Sequence, residues 1–157
     1  MATHSALTGA ELHEPKGVET ANANEVYVAN GDGASGTWTS TANAYKHILN
    51  VHHDDLSTAE SHWVVSPVAG TISKIYTVLE EAIATADVVL SFEIGGTVIT
   101  NSGITIAFTG SAGGDIDSST PTALNTVTAG QAIEIISDGG TSTSGAHAHV
   151  SIVVDTV

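Results

Sequence analysis

The sequence predicts an all-β fold, an antiparallel β-sandwich or jelly-roll-like domain preceded by an extended N-terminal arm and a small hairpin. Three observations carry that expectation. The chain holds 21 Thr, 16 Ser and 16 Gly, and charged residues make up only 13%. Such a chain is rich in β-branched and turn-forming residues and poor in the Lys, Glu, Arg and Leu of surface helices. Its apolar residues recur with period two, in short segments. Clusters of Gly, Ser, Asp and Pro separate those segments at the spacing of a sandwich. With 157 residues, the chain has room for one domain and an appendage.

The order of elements follows from those signals. Residues 1–24 show neither helical nor strand periodicity, and a stretch with so little to bury cannot offset the entropy of its own ordering. They read as an arm. Glu25-Val-Tyr-Val-Ala29, the Gly-rich Asn30 to Gly36 and Thr37-Trp-Thr39 read as a hairpin closed by a loop. The division falls near residue 43, giving 1–43 as arm and hairpin and 44–157 as the sandwich. In the second part Ile48-Leu-Asn-Val51 leads into a polar segment, His52-His-Asp-Asp55. Strands are expected at His62 to Ser66 and, past Pro67 and the Gly70 turn, at Thr71 to Val78. Leu79 to Ala84 has the chemistry of one short helical turn. The clearest strand is Val88 to Ile94, with Val88, Leu90, Phe92 and Ile94 on one face. Ile104, Ile106 and Phe108 repeat that alternation. Residues 109–130 read as a long connection of small polar residues, of the kind that contacts a partner. Ala132 to Ile136 and Ala146 to Val154 complete the set, the last with Ala148, Val150, Ile152 and Val154 inward. Two Trp and two Phe beyond three Tyr predict a thin, aliphatic core.

Charge narrows the function. Seventeen acidic residues face three Lys and no Arg, a net charge of −14. Phosphate contacts are built from clustered Lys and Arg, so no nucleic-acid partner is expected, and an anionic membrane surface is disfavoured likewise. No run of about 18 apolar residues suggests a spanning helix, and the opening residues lack a signal-peptide pattern. Zero Cys excludes disulfides and thiolate chemistry.

Chemical motifs are sparse. Gly31-Asp-Gly33-Ala-Ser-Gly36 matches the dinucleotide pattern in form, but the Thr-Trp-Thr-Ser-Thr that follows opens no helix to hold a pyrophosphate. His147 and His149, two apart on a strand, project from one face, and His52, His53, Asp54 and Asp55 offer further donors. The favoured reading is a solvated strand face and a polar loop, with no metal and no cofactor. Gly113 to Thr120 begins like a calcium loop but lacks the distal carboxylate in register. No nucleophile elbow, phosphate loop or zinc-protease helix occurs, and Glu80-Glu81 and Asp54-Asp55 are neighbours that point apart. No catalytic residue and no enzyme activity are expected.

Several segments carry a resemblance. Ser5-Ala-Leu-Thr-Gly-Ala-Glu-Leu-His-Glu-Pro-Lys-Gly17 and Glu25 to Trp38 resemble the N-terminal module of tailed-phage virion proteins. Val51 to Ala59, Val64 to Ile72, Ala82 to Val88 and Asn125 to Ile135 are similar to the same group, the capsid decoration, cement or head-fibre proteins. The resemblance implies a β-sandwich homotrimer on the outer surface of the phage capsid, bound to the major capsid protein. It implies that Leu12, His13, Glu14, Pro15, Lys16 and Gly17 make the capsid contact, with Pro15 stiffening the arm and Gly17 permitting a turn. The expected role is stabilisation of the head. The alternative is a tail-fibre or receptor-binding module using the 109–130 and 138–147 loops as its tip.

Overall fold

In a computed structural model, residues 25–28, 37–40, 45–140 and 146–156 are described. The chain divides into two compact units, Met1–Ala44 and Tyr45–Val157. In the first, β1 (Glu25–Val28) and β2 (Thr37–Ser40) pair antiparallel, with Tyr27 opposite Trp38. The residues from Leu12 to Gly17, and the Gly31 to Gly36 loop, lie outside the described residues.

The second unit is a sandwich of two antiparallel sheets, and no helix occurs among the described residues. One sheet contains β3 (Lys46–His53), β5 (Gly70–Leu79), β9 (Ile116–Ser119), β10 (Thr126–Val127) and β12 (Ala148–Thr156). The other contains β4 (Ser61–Val65), β6 (Val88–Ile94), β7 (Thr97–Val98), β8 (Ile104–Ile106) and β11 (Ala132–Ser137). The order in the first is β10-β5-β12-β3, with β9 beside β10 along β5; in the second it is β4-β11-β6-β7, with β8 beside β7 along β6. Each sheet is therefore three long rows and a fourth shared by two short strands. Early strands pair with late ones, β3 with β12 and β4 with β11. That nested order is the jelly roll.

Alternation decides what is buried. Val88, Leu90, Phe92 and Ile94 face Ala148, Val150, Ile152 and Val154 across a core completed by Ile72, Ile75, Ile133 and Ile135. Phe92 is the one aromatic ring of that described core, which is otherwise aliphatic. On β5 the alternation breaks, because the register against β12 skips Ser73: Val154 pairs Ile72 while Val153 pairs Lys74. This bulge lets Ile72 and Ile75, three apart, both point inward.

Four expectations are corrected. Leu79 to Ala84 forms no helical turn: Leu79 closes β5, and its burial in the core outweighs the local preference. Residues 109–130 are not a free connection, since β9 and β10 pair with β5 and complete its sheet. Phe108 does not extend the buried face, because β8 ends at Ile106 and Phe108 stays exposed. The histidines after Val51 are not a polar loop, since β3 runs on through His53.

Candidate functional site

Because β3 continues to its end as a strand, His52 and His53 must point to opposite faces. His52 is met there by two other histidines and a glutamate, His53 by one histidine and a glutamate. The result is two His–Glu clusters on either side of one strand.

The outer cluster is set by register. His149 on β12 lies opposite His52 on one side and Val78 of β5 on the other. Just beyond β5, the Glu80 amide donates to the His147 carbonyl at 3.1 Å, which brings the Glu80 side chain under the imidazoles. Glu80 Oε1 lies 2.7 Å from His149 Nε2 and 3.2 Å from His52 Nε2, and Oε2 lies 3.5 Å from His147 Nδ1. Asp54 takes the other nitrogen of His52, Nδ1, at 2.7 Å. The cluster is open to water, with His52, His147, His149 and Glu80 all well exposed. The His52 imidazole is pushed above its ordinary value, chiefly by the Asp54 hydrogen bond, which with Glu80 outweighs the opposing cost of burial. The same bond draws the Asp54 carboxyl down. Burial pushes the Glu80 carboxyl up, but the facing His52, His149 and His147 outweigh it and hold it low.

The inner cluster lies at the seam where the edges of the two sheets, β3 and β4, come together. The turn joining them is tied down by Asp55, whose carboxylate accepts from the Ser57 amide (2.9 Å), the Ser57 hydroxyl (2.6 Å) and the Thr58 hydroxyl (3.3 Å). Leu56 is fully buried beneath that turn, and its amide donates to the Ala146 carbonyl. Next, the Glu60 carbonyl accepts from the Ser137 amide at 2.9 Å, continuing the β4–β11 ladder. Gly139 and Gly140 pass so close to the backbones of Ala59 and Asp87 that a Cβ on either would collide. Glu60 and His62, two residues apart, thus present one face to His53. The imidazoles of His53 and His62 stand 4.4 Å apart between centroids, His62 Nε2 is 2.9 Å from Glu60 Oε1, and His53 Nδ1 is 3.6 Å from the same oxygen. His53 is wholly inaccessible to water, and burial, aided by His62, pushes its imidazole down against the pull of Glu60, Asp54 and Asp55.

The histidine pair read from the sequence, His147 and His149, does share a face, and His52 joins it. The strand face stays exposed to solvent, and its histidines gather around the Glu80 carboxylate. Glu60 and His62 were not singled out, although Glu-x-His at the start of a strand places both on one side. The calcium-like segment places its carboxylates differently from a loop. Asp115 accepts from the Ala112 amide at 2.7 Å, and Asp117 belongs to β9, its carboxyl pushed up by burial and by Asp115. A cleft of about 200 Å³ opens beside them, with Thr109, Ser111, Leu79 and Ile106 in its wall.

No family model matches the chain, and no curated protein matches it. Among solved structures, dimeric latent PorU from Porphyromonas gingivalis aligns at 12% identity and a TM-score of 0.40. The alignment covers 71% of this chain and 13% of that one. A likeness of that size carries no argument about function.

Proposed function

We propose that the chain is a virion structural protein of a tailed phage, a capsid decoration protein that binds the major capsid protein and stabilises the head. The observation that carries this reading is the division of labour along the chain. The unit Tyr45–Val157 closes its own core between two sheets, whereas the Leu12 to Gly17 motif that resembles phage virion proteins belongs to the other unit. An attachment segment followed by a self-sufficient knob suits a protein tied to a surface and displayed on it. Many copies on a lattice multiply weak single contacts. Jelly rolls serve in viral capsids, and equally in lectins, so the fold supports the reading by analogy alone. In the homotrimer that the resemblance implies, Ile48 on β3 and Trp63 and Val65 on β4, all exposed, supply apolar surface for a neighbouring copy. The charge of −14 keeps such a knob from adsorbing to DNA or to anionic cell surfaces.

The test is attachment to shells that lack the protein. The full chain should co-sediment with them and raise their resistance to heat, and a chain without residues 1–24 should do neither while keeping its β-sheet circular dichroism. Attachment that survives the deletion contradicts the assignment of the arm. A receptor-binding module is the second reading, favoured by Trp63 standing on the outer face of β4 beside Glu134, an arrangement on which a sugar ring could stack. Binding of the purified chain to host-cell glycans, lost in Trp63→Ala, would support it.

A further inference from the structure

We propose that His53, Glu60 and His62 form a binding site for a zinc-class divalent metal ion at the seam between β3 and β4. The argument starts from a buried group with nothing to bond. Among the described residues, other buried polar side chains find partners. Ser66 donates to the Val68 carbonyl, Ser102 to Ile99, Ser119 to Ser102, and Ser137 accepts from the Gly139 amide. His53 alone has both ring nitrogens buried and unpartnered. A polar group left so is costly, and in a native fold it calls for an explanation, of which a bound ion is one.

The neighbours say what the use is. One nitrogen from each of His53 and His62 and one oxygen of Glu60 lie within 4.8 Å of one another. Donors held about 2.0–2.2 Å from a tetrahedral zinc stand about 3.3–3.6 Å apart. The two separations to Glu60 Oε1, 2.9 and 3.6 Å, bracket that spacing, so small side-chain adjustments complete the set. Two imidazoles and one carboxylate suit zinc and its first-row neighbours rather than calcium or magnesium, which take oxygen donors. The burial that keeps His53 neutral keeps it in the ligating form. Three protein ligands leave a fourth position, and Glu60 and His62, each partly exposed, give the ion a route in from solvent. The surrounding acidity, with Asp54 and Asp55 on the same turn, favours a cation. Because the ligands come from the edges of both sheets, a bound ion would staple the sandwich along this seam. The site stands whether or not the chain decorates a capsid.

The experiment uses the full chain, stripped of metal by a chelator and titrated with Co²⁺ as a spectroscopic stand-in for Zn²⁺. We expect the visible absorption of four-coordinate Co²⁺ to saturate at one equivalent, to vanish on adding Zn²⁺, and to persist in His149→Ala, which lies in the outer cluster. Glu60→Gln and His62→Ala should each weaken binding by more than about 100-fold, beyond the loss of an outer-shell partner. In the unsubstituted chain, one equivalent of Zn²⁺ should move the ring-nitrogen resonances of His53 and His62, a readout that depends on no variant's folding. A wild-type chain with no saturable Co²⁺ absorption would overturn the proposal. So would absorption that survives Glu60→Gln and His62→Ala, absorption abolished by His149→Ala, or a His53 ring that Zn²⁺ leaves unmoved.

Discussion

His52 and His53 are consecutive residues of the same type on one strand, yet they live in opposite electrostatic worlds. His52 is exposed, bonded at both nitrogens to carboxylates, and its imidazole is pushed up; His53 is sealed from water, bonded at neither, and its imidazole is pushed down. Both have a glutamate and further histidine in reach. What separates them is the period-two alternation of β3, which sends one side chain to solvent and the next to the seam between the sheets. Composition of a cluster therefore says little; the face each residue occupies decides whether its imidazole meets carboxylates in water or is sealed away from both.

The comparison is broken most forcefully at the buried member. His53→Ala removes a fully buried ring and should cost about 2–4 kcal/mol in chemical denaturation, in the range of large-to-small core substitutions. His52→Ala should stay within about 0.5 kcal/mol, as surface changes do. Equal losses would mean that the two faces do not differ in the way described. His53→Leu, tested on metal-stripped protein, should equal or exceed the unsubstituted chain in stability, because it removes the unpaired nitrogens and keeps the volume.

A smaller effect is expected from pH. His52 has a folded value above 6.5, so its stabilisation is complete below 6.5 and is lost as the pH rises through the folded value. His53 has a folded value below 6.5, so stability is intact above 6.5 and declines as the pH falls toward that value. Asp54 and Glu80, held low, lose their contributions further into the acid range. The metal-stripped chain should therefore be most stable near pH 6.5, and thermal melts across pH 4–9 check it. The smallest effect lies inside the outer cluster. Asp54→Asn should bring the His52 titration back toward 6.5 by more than Glu80→Gln does, since the Asp54 bond is the larger cause of its rise. Histidine NMR titrations decide the order.

The same contrast explains what was legible in the sequence. Where one face of a strand is wholly apolar, as in β6 and β12, alternation alone identifies the buried residues, and the antiparallel sandwich follows from many such strands. Alternation fails where the register slips. The bulge at Ser73 on β5 depends on how β12 lies against it, which no local pattern records. It fails too where polar residues pair because a neighbouring long strand lends them a ladder, as β5 does for Ile116–Ser119 and Thr126–Val127. For the site, the position least legible from local composition is His53. A His-His-Asp-Asp run has the composition of a loop, and only the pairing of His53 with Ala148 keeps it in the strand and turns it inward. His147 and His149 were legible as a pair because residues two apart in extended chain share a face; Glu80, their common partner, arrives from just beyond the end of β5.

At the scale of the whole chain, the contrast is between the unit that closes its own core and the unit that holds Leu12 to Gly17, on which the proposed capsid attachment rests. The measurement that tests its meaning most directly is the number of copies of this chain per virion, counted by mass spectrometry of purified particles against the major capsid protein. Decoration predicts a ratio near one, or a fixed simple fraction such as one third, as lattice positions require. A ratio near one per hundred would contradict it and move the chain to the tail as a receptor-binding module, and absence from the particle would contradict both.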